Sequence, residues 1–404
     1  MKTDRRRRPW GIASAGLVFV TCVLGAQQPP VPPPAFKAGT DIVLVDFVVT
    51  DKADRPVKGL AAADFSVKED GKDRPIVSFA AFANADPAAA TPANSPVPRA
   101  VGATVLLVDD AHLSAEQTLR LRPDLKALLA KVSERSGTLS LIAPLSGVSE
   151  SRTMPFGAGE LTAAVDRIVG QRVDEHSDLP VSDAEAIDVE RGNQATLLRL
   201  SARILSMNPG MKSQQAEMLA KNRARELSTD ARIRRQGLYA VANDAFDWLA
   251  TQPGRHSLVL VSAGFARDPE DTGYDDVVTR SLRVNAPISF LDSRGLQGFG
   301  RFENVTFGGT LPPGAGEMPF ARWDAAQGAT VLADDTGGIV VRNTNDLAKG
   351  LGRLFDTMST YYVIGYERLP QTKSGFRKIK VETRSKGLTV RARRGYFDDV
   401  KRTP

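Results

Sequence analysis

Four short apolar runs, separated by stretches with helical spacing, constrain this chain more than any other feature. Thr104–Val108, Leu139–Ala143, Leu258–Val261 and Ile288–Leu291 are apolar at nearly every position. That is the pattern of strands buried on both faces, as in a parallel sheet covered by helices. Between them, Ser114–Val132 places Leu121, Leu125, Leu128 and Leu129 on one helical face, and further helical stretches lie around residues 160–169 and 237–250. Strands alternating with helices predict an α/β sandwich over residues 101–360. Pro123, which has no backbone N–H to donate, is expected to kink or shorten the first helix.

Both ends of that region read differently. Ile42–Val49 is rich in β-branched residues, Phe65 and Val67 alternate with Ser66 and Lys68, and Asp70-Gly71 supplies a hairpin turn before Ile76–Phe79. From Tyr361 onward the alternation returns, with Ile379 and Val381 set between Lys378, Lys380 and Glu382, and Leu388 and Val390 beside Thr389 and Arg391. Residues 40–84 and 361–398 are each too short to bury both faces of a sheet. They are therefore expected to pair into one β-sandwich, with the α/β region inserted between them. Residues 85–100, with four prolines between Asp86 and Arg99 and few large apolar groups, read as a linker.

The first 26 residues have the parts of an export signal: a basic start at Arg5–Arg8, an apolar stretch from about Trp10 to Leu24, and small residues at Gly25-Ala26. The apolar stretch falls short of the roughly 20 residues that span a bilayer. Cleavage after Ala26, with no membrane span left in the mature chain, is the expectation, and a retained anchor is its alternative. Export to the periplasm, the cell surface or the medium follows from either. Residues 27–39, with the run Pro29-Pro30-Val31-Pro32-Pro33-Pro34, form a stiff extended spacer. The single cysteine, Cys22, lies inside the signal, so the mature chain is expected to carry no disulfide. The net charge of +6 owes most of its excess to the same N-terminus. The nearly balanced remainder offers no general basis for binding nucleic acid.

Within the α/β region, residues 174–235 form a charge-segregated insertion. Asp174–Glu190 has seven acidic residues and no Lys or Arg, whereas Lys212–Arg235 has seven basic residues against three acidic. The two stretches are expected to face each other in a solvated helical insertion, with a partner-binding surface as the alternative. A second acidic group, Asp268, Glu270, Asp271, Asp275 and Asp276, matches no calcium-loop spacing and reads as a solvated turn. No nucleophile elbow, H-E-x-x-H motif or phosphate-binding loop occurs, and the glycine-rich stretch from Gly295 to Gly309 has the wrong order for a dinucleotide fingerprint.

Several segments together resemble the VWFA-related proteins of acidobacterial type, secreted proteins with a von Willebrand factor A-like domain. They are VVTDKADRPVKGLAAADFSVKEDGKDRPIVSF (Val48–Phe79), VLLVDDAHLS (Val105–Ser114), SLVLVSAGF (Ser257–Phe265), ISFLDSRGL (Ile288–Leu296), DDTGGIVV (Asp334–Val341), YYVIGY (Tyr361–Tyr366) and GLTVRARRGYF (Gly387–Phe397). The resemblance covers nearly the whole mature chain. It implies a Rossmann-like sandwich with a central, mainly parallel sheet, used in many relatives to hold protein partners through a bound divalent cation.

The family's ion site needs a D-x-S-x-S loop after the first strand, a later threonine and an aspartate after the fourth strand. Here the pattern is altered. In one frame Asp110 is followed by His112 and Ser114; in the other Asp109 leads and both serines are lost. The fourth-strand turn reads Ser262-Ala263-Gly264, without the aspartate. Asp110, His112 and Ser114 are thus the candidate ligands for a divalent ion such as Mg²⁺ or Mn²⁺. Ser114 with Gln117 also forms a capping box for the following helix. Asp109, Asp110, His112, Ser114, Ser262 and Gly264 are expected to line a crevice at the carboxyl edge of the sheet, where open α/β sheets place ligands. The expected function is an exported, non-catalytic module that binds an unidentified protein partner, an adhesion type with a degenerate ion site. The alternative is a secreted hydrolase using Asp110 and His112.

Overall fold

The strand-and-helix alternation forms the layered α/β structure that the periodicity predicts. A computed structural model describes residues 42–82, 102–132, 137–172, 181–295, 326–368 and 374–398. All belong to the compact unit Asp41–Pro404. The expected signal peptide, spacer and linker (residues 1–26, 27–39 and 85–100) lie outside the described residues, as do 174–180 of the insertion and 296–309 of the glycine-rich stretch.

The elements run β1 (Ile42–Thr50), β2 (Phe65–Glu69), β3 (Lys72–Arg74), β4 (Ile76–Phe82), β5 (Ala103–Val108), α1 (Ala115–Val132), β6 (Gly137–Ala143), β7 (Val148–Met154), α2 (Ala158–Val165), α3 (Asp183–Glu190), α4 (Gln194–Met207) and α5 (Ser213–Ala250). They continue with β8 (His256–Ser262), α6 (Thr272–Val284), β9 (Ile288–Asp292), α7 (Gln327–Thr336), β10 (Val340–Val341), α8 (Leu347–Met358), β11 (Tyr361–Glu367), β12 (Gly375–Thr383), β13 (Thr389–Ala392) and β14 (Gly395–Asp398).

The central sheet has six strands in the order β10-β9-β8-β5-β6-β7, parallel throughout except for β7, which runs antiparallel beside β6. Because successive side chains of a strand point to opposite faces, β5 feeds two cores. Leu106 and Val108 pack with Leu121, Leu125, Leu351 and Phe355 of α1 and α8; Val105 and Leu107 pack with Leu238, Phe246, Val277 and Leu332 of α5, α6 and α7. This explains why the strand is apolar at every position. The first helix continues through Pro123 as α1, so the expected shortening does not occur. Leu119, whose carbonyl loses the N–H that residue 123 would have donated, lies on an exposed face where water can replace it.

The two β segments at the ends form one sandwich. β1 pairs antiparallel with β11 and β13, and β12 with β2, giving sheets ordered β13-β1-β11-β4 and β14-β12-β2-β3. Their shared core contains Val45, Phe47, Phe65, Val67, Tyr362, Ile364, Ile379 and Val381. Tyr362 stacks on Phe47 and Phe79 and donates its hydroxyl to the Val57 carbonyl at 2.8 Å, closing the loop before β2. Asp70 and Gly71 turn the β2–β3 hairpin at φ 49° and 80°, the left-handed pair that a two-residue hairpin requires. Arginines join the sandwich to the α/β layers. Arg255 lies 4.1 Å over the Tyr361 ring and 3.4 Å from Asp46, and the half-buried Arg393 donates to the Leu44 carbonyl of β1 at 2.7 Å and to the Leu282 carbonyl of α6 at 3.4 Å.

The insertion forms α3, α4 and the first half of α5. It has no boundary at residue 235, because α5 continues from the insertion into the sheet-covering layer as one helix of 38 residues. Its opposite charges meet: Asp183 with Arg234 at 3.1 Å, Glu190 with Arg225 at 3.8 Å. Glu185 pairs with Arg203 at 2.8 Å. Burial pushes Glu185 up, but Arg203 and the Ser182 amide outweigh it and hold the carboxyl below its ordinary value.

Candidate functional site

Parallel strands deliver their carboxyl ends to one edge of the sheet, and the loops leaving β5, β6 and β8 meet there. Asp109 and Asp110, the two residues after β5, point to different neighbours, as consecutive residues leaving a strand must. Asp109 turns toward β8. It accepts the Ser262 hydroxyl at 2.6 Å, and His112 Nδ1 lies 2.8 Å from Oδ2 and 2.9 Å from Oδ1. Ser262 in turn accepts the Gly264 N–H at 2.9 Å. Asp110 turns toward the β6–β7 turn, where it accepts the Leu145 N–H at 3.2 Å, the Ser146 N–H at 2.7 Å and the Ser146 hydroxyl at 2.7 Å. Burial pushes the Asp110 carboxyl above its usual value, with the Ser146 and Leu145 donors opposing the shift.

Ser114 begins α1. Its hydroxyl accepts the Gln117 N–H at 3.2 Å, and the Gln117 side chain accepts the Ser114 N–H at 2.9 Å, the reciprocal capping box read from the sequence. Ser114→Ala should lower the unfolding free energy by about 0.5–2 kcal/mol, read from the urea midpoint, with no change in the loops of the site. A stability equal to the parent would mean the box is not formed.

These positions give each of the expected site residues its own local partner. Asp110, His112 and Ser114, the expected ion ligands, are not brought together. Asp110 serves the β6–β7 turn, His112 serves Asp109, and Ser114 serves the helix. Among the described residues no group of three or more His, Cys, Asp and Glu is placed to hold a metal. The expected open crevice is also filled. Asp109, Asp110, His112, Ser114, Ser262 and Gly264 are all buried, and among the five with side chains Ser114 is the most exposed at 7%. The physical reason is mutual satisfaction: carboxylates sequestered from water are held by donors from neighbouring loops.

The arrangement also limits its own chemistry. Ser262 donates its hydroxyl to Asp109 and not to His112, whose Nε2 is buried with no hydrogen-bond partner among the described residues. Its ring instead lies 6.0 Å from that of Phe265. Asp110 and His112, the pair required by the hydrolase alternative, face different loops.

Above this buried network lies a surface that the sequence did not reveal. Ser146 accepts the Val169 N–H at 2.9 Å, which joins the β6–β7 turn to the loop after α2. The side chains on either side of that link, Leu145 and Val169, are 58% and 40% exposed. A leucine in the turn Pro144-Leu145-Ser146-Gly147 was the available signal. It was hidden because β7, a polar edge strand buried only at its two ends, lacks apolar periodicity.

Of the acidic group after β8, Glu270, Asp275 and Asp276 are exposed, as a solvated turn would have them, whereas Asp268 and Asp271 are drawn inward. Asp268 and Asp271 are 3.6 and 3.3 Å from the guanidinium of Arg235, which is 1% exposed. Arg191 pairs with both Asp268 and Glu270. The insertion therefore supplies the counter-charges for this loop. No helix among the described residues is long and apolar enough to cross a membrane.

No protein-family model and no curated protein matches the chain. Two solved structures are similar to part of it. One is an aerotolerance-related membrane protein from Bacteroides fragilis NCTC 9343 with multiple mutations to serines, 10% identical over 64% of this chain and 98% of that chain, with a TM-score of 0.29. The other is proximal thread matrix protein 1 from the mussel byssus, 9% identical over 64% of this chain and 48% of that chain, with a TM-score of 0.23. Likeness at this level says nothing about activity, substrate or partner.

Proposed function

We propose that the chain is an exported, non-catalytic protein-binding module of von Willebrand A-like type, with its contact surface at the carboxyl edge of the six-stranded sheet. The observation that supports this best is the division of labour at that edge. The polar side chains are buried and bonded to one another, while Leu145 and Val169 stand exposed on the loops that Asp110 and Ser146 hold in place. Apolar side chains fixed on a rigid, hydrogen-bonded base suit a protein contact, because little conformational freedom is lost on binding. The mainly parallel central sheet agrees with the architecture that the sequence resemblance implies.

In this reading the partner is held without a bridging ion, since the carboxylates of Asp109 and Asp110 already accept from His112, Ser262, Leu145 and Ser146. The test places a photo-crosslinking amino acid at position 145 or 169 of the full chain in its native host. Discrete adducts are expected at both positions, and each should disappear when the other position is changed to Asp, with the melting temperature unchanged. No adduct at either position would refute the proposal. Turnover of generic ester, phosphate or peptide substrates would favour the hydrolase instead, and saturable calorimetric binding of Mg²⁺ or Mn²⁺ would favour a metal-bridged contact.

A further inference from the structure

The six-stranded sheet stops at β10, and among the described residues no strand lies beyond it. The helical layers, however, extend past this edge. A cavity of about 260 Å³ runs along β10, bounded on one face of the sheet by Thr330 and Asp334 of α7 and on the other by Arg353 and Thr357 of α8. It occupies the place that a seventh strand would take between the two layers.

The backbone is ready for such a strand. Val340 is paired in register with Phe290, and the Phe290 N–H donates to the Ile339 carbonyl at 2.8 Å. In a parallel ladder that register directs the N–H and C=O of Val340 itself away from β9. They face the cavity, and no described residue pairs with them. Thr330 Oγ1, on the wall of the same cavity, is also buried without a hydrogen-bond partner among the described residues. Unpaired edge groups are a template for another chain.

Charge selects the occupant. Three arginines, Arg342, Arg353 and Arg391, and two aspartates, Asp54 and Asp334, line the cavity, leaving an excess of positive charge; Arg391 meets Asp334 at 3.2 Å, whereas Arg342 and Arg353 have no ion pair among the described residues. We propose that this groove binds an extended acidic segment of a partner protein, which adds as a strand to β10 and sets its carboxylates against Arg342 and Arg353. The proposal rests on the protein-binding reading but uses a different surface, at the sheet's side edge and not at its carboxyl end.

The probes are two fluorescein-labelled peptides, one alternating Glu and Val and one alternating Lys and Val, titrated against the full chain by fluorescence polarisation. The acidic peptide is expected to saturate and to bind at least about tenfold more tightly than the basic one. The double variant Arg342→Glu/Arg353→Glu, on exposed positions, should weaken it by at least about tenfold. Val340→Pro, which removes the outward N–H, should do the same. In the free chain, the Val340 amide should exchange readily with deuterium and become protected when the acidic peptide is added. Equal binding of the two peptides, binding indifferent to both variants, no saturation, or a Val340 amide already protected in the free chain would overturn the proposal. Failure here with crosslinks at positions 145 and 169 intact would leave the carboxyl-edge reading standing; loss of the crosslinks with peptide binding retained would do the reverse.

Discussion

Asp109→Ala should lower the unfolding free energy by about 3–5 kcal/mol, the cost typical of removing one partner from a buried, hydrogen-bonded charged group. Asp109 is 2% exposed and holds two side chains at once, Ser262 from β8 and His112 from its own loop. Its removal leaves the Ser262 hydroxyl and His112 Nδ1 unsatisfied beside a His112 Nε2 that already has no partner among the described residues. The loss should appear as a lower urea midpoint at unchanged slope. Replacing Asp109 and His112 together by Ala and Leu should recover part of it, because the apolar pair leaves fewer buried groups without partners. A single variant within about 1 kcal/mol of the parent would mean that this network does not hold β5 to β8.

Arg235→Ala should cost about 3 kcal/mol, for the opposite reason: it strands the Asp271 carboxylate, while Asp268 keeps Arg191. Arg235 is 1% exposed and faces Asp268 and Asp271, and the second of these also begins α6 by accepting the Gly273 N–H at 3.2 Å. Hydrogen exchange should therefore accelerate in the segment 266–276 as well as across the global transition. Adding Asp271→Asn to Arg235→Ala should restore part of the stability by removing the stranded charge. If millimolar Ca²⁺ restored the single variant fully, the acidic loop would be an ion site that Arg235 merely occupies; no response to Ca²⁺ is expected.

Much of the fold was legible because its signals are local. Strands apolar at every position could only be buried on both faces, and Asp70-Gly71 between alternating runs could only turn a hairpin. The pairing of the two terminal β segments was also reachable, since neither had enough surface to fold alone. The polar strand β7, the two-residue strand β10 and the passage of α5 through position 235 were not. β7 and β10 bury too little apolar surface to leave a periodic trace, and α5 changes its packing partners along its length without any break in backbone signal.

At the candidate site the residue types were visible, but their assignments were not. Ser114 and Gln117 could be read as a cap because that contact spans one helical turn. Asp109 and Asp110 could not be told apart, since a shift of one residue exchanges the sides to which they point, and their partners lie 153 and 36 positions away in the chain. Local spacing and residue chemistry were enough to place the four doubly buried strands, the α/β class and the cluster of polar residues at the sheet's carboxyl edge. Which partner each takes, Ser262 and His112 for Asp109 and the β6–β7 turn for Asp110, with Leu145 and Val169 left exposed, emerged only in three dimensions, because hydrogen bonds between distant loops exist only once packing has brought their donors and acceptors within 3 Å or so of each other.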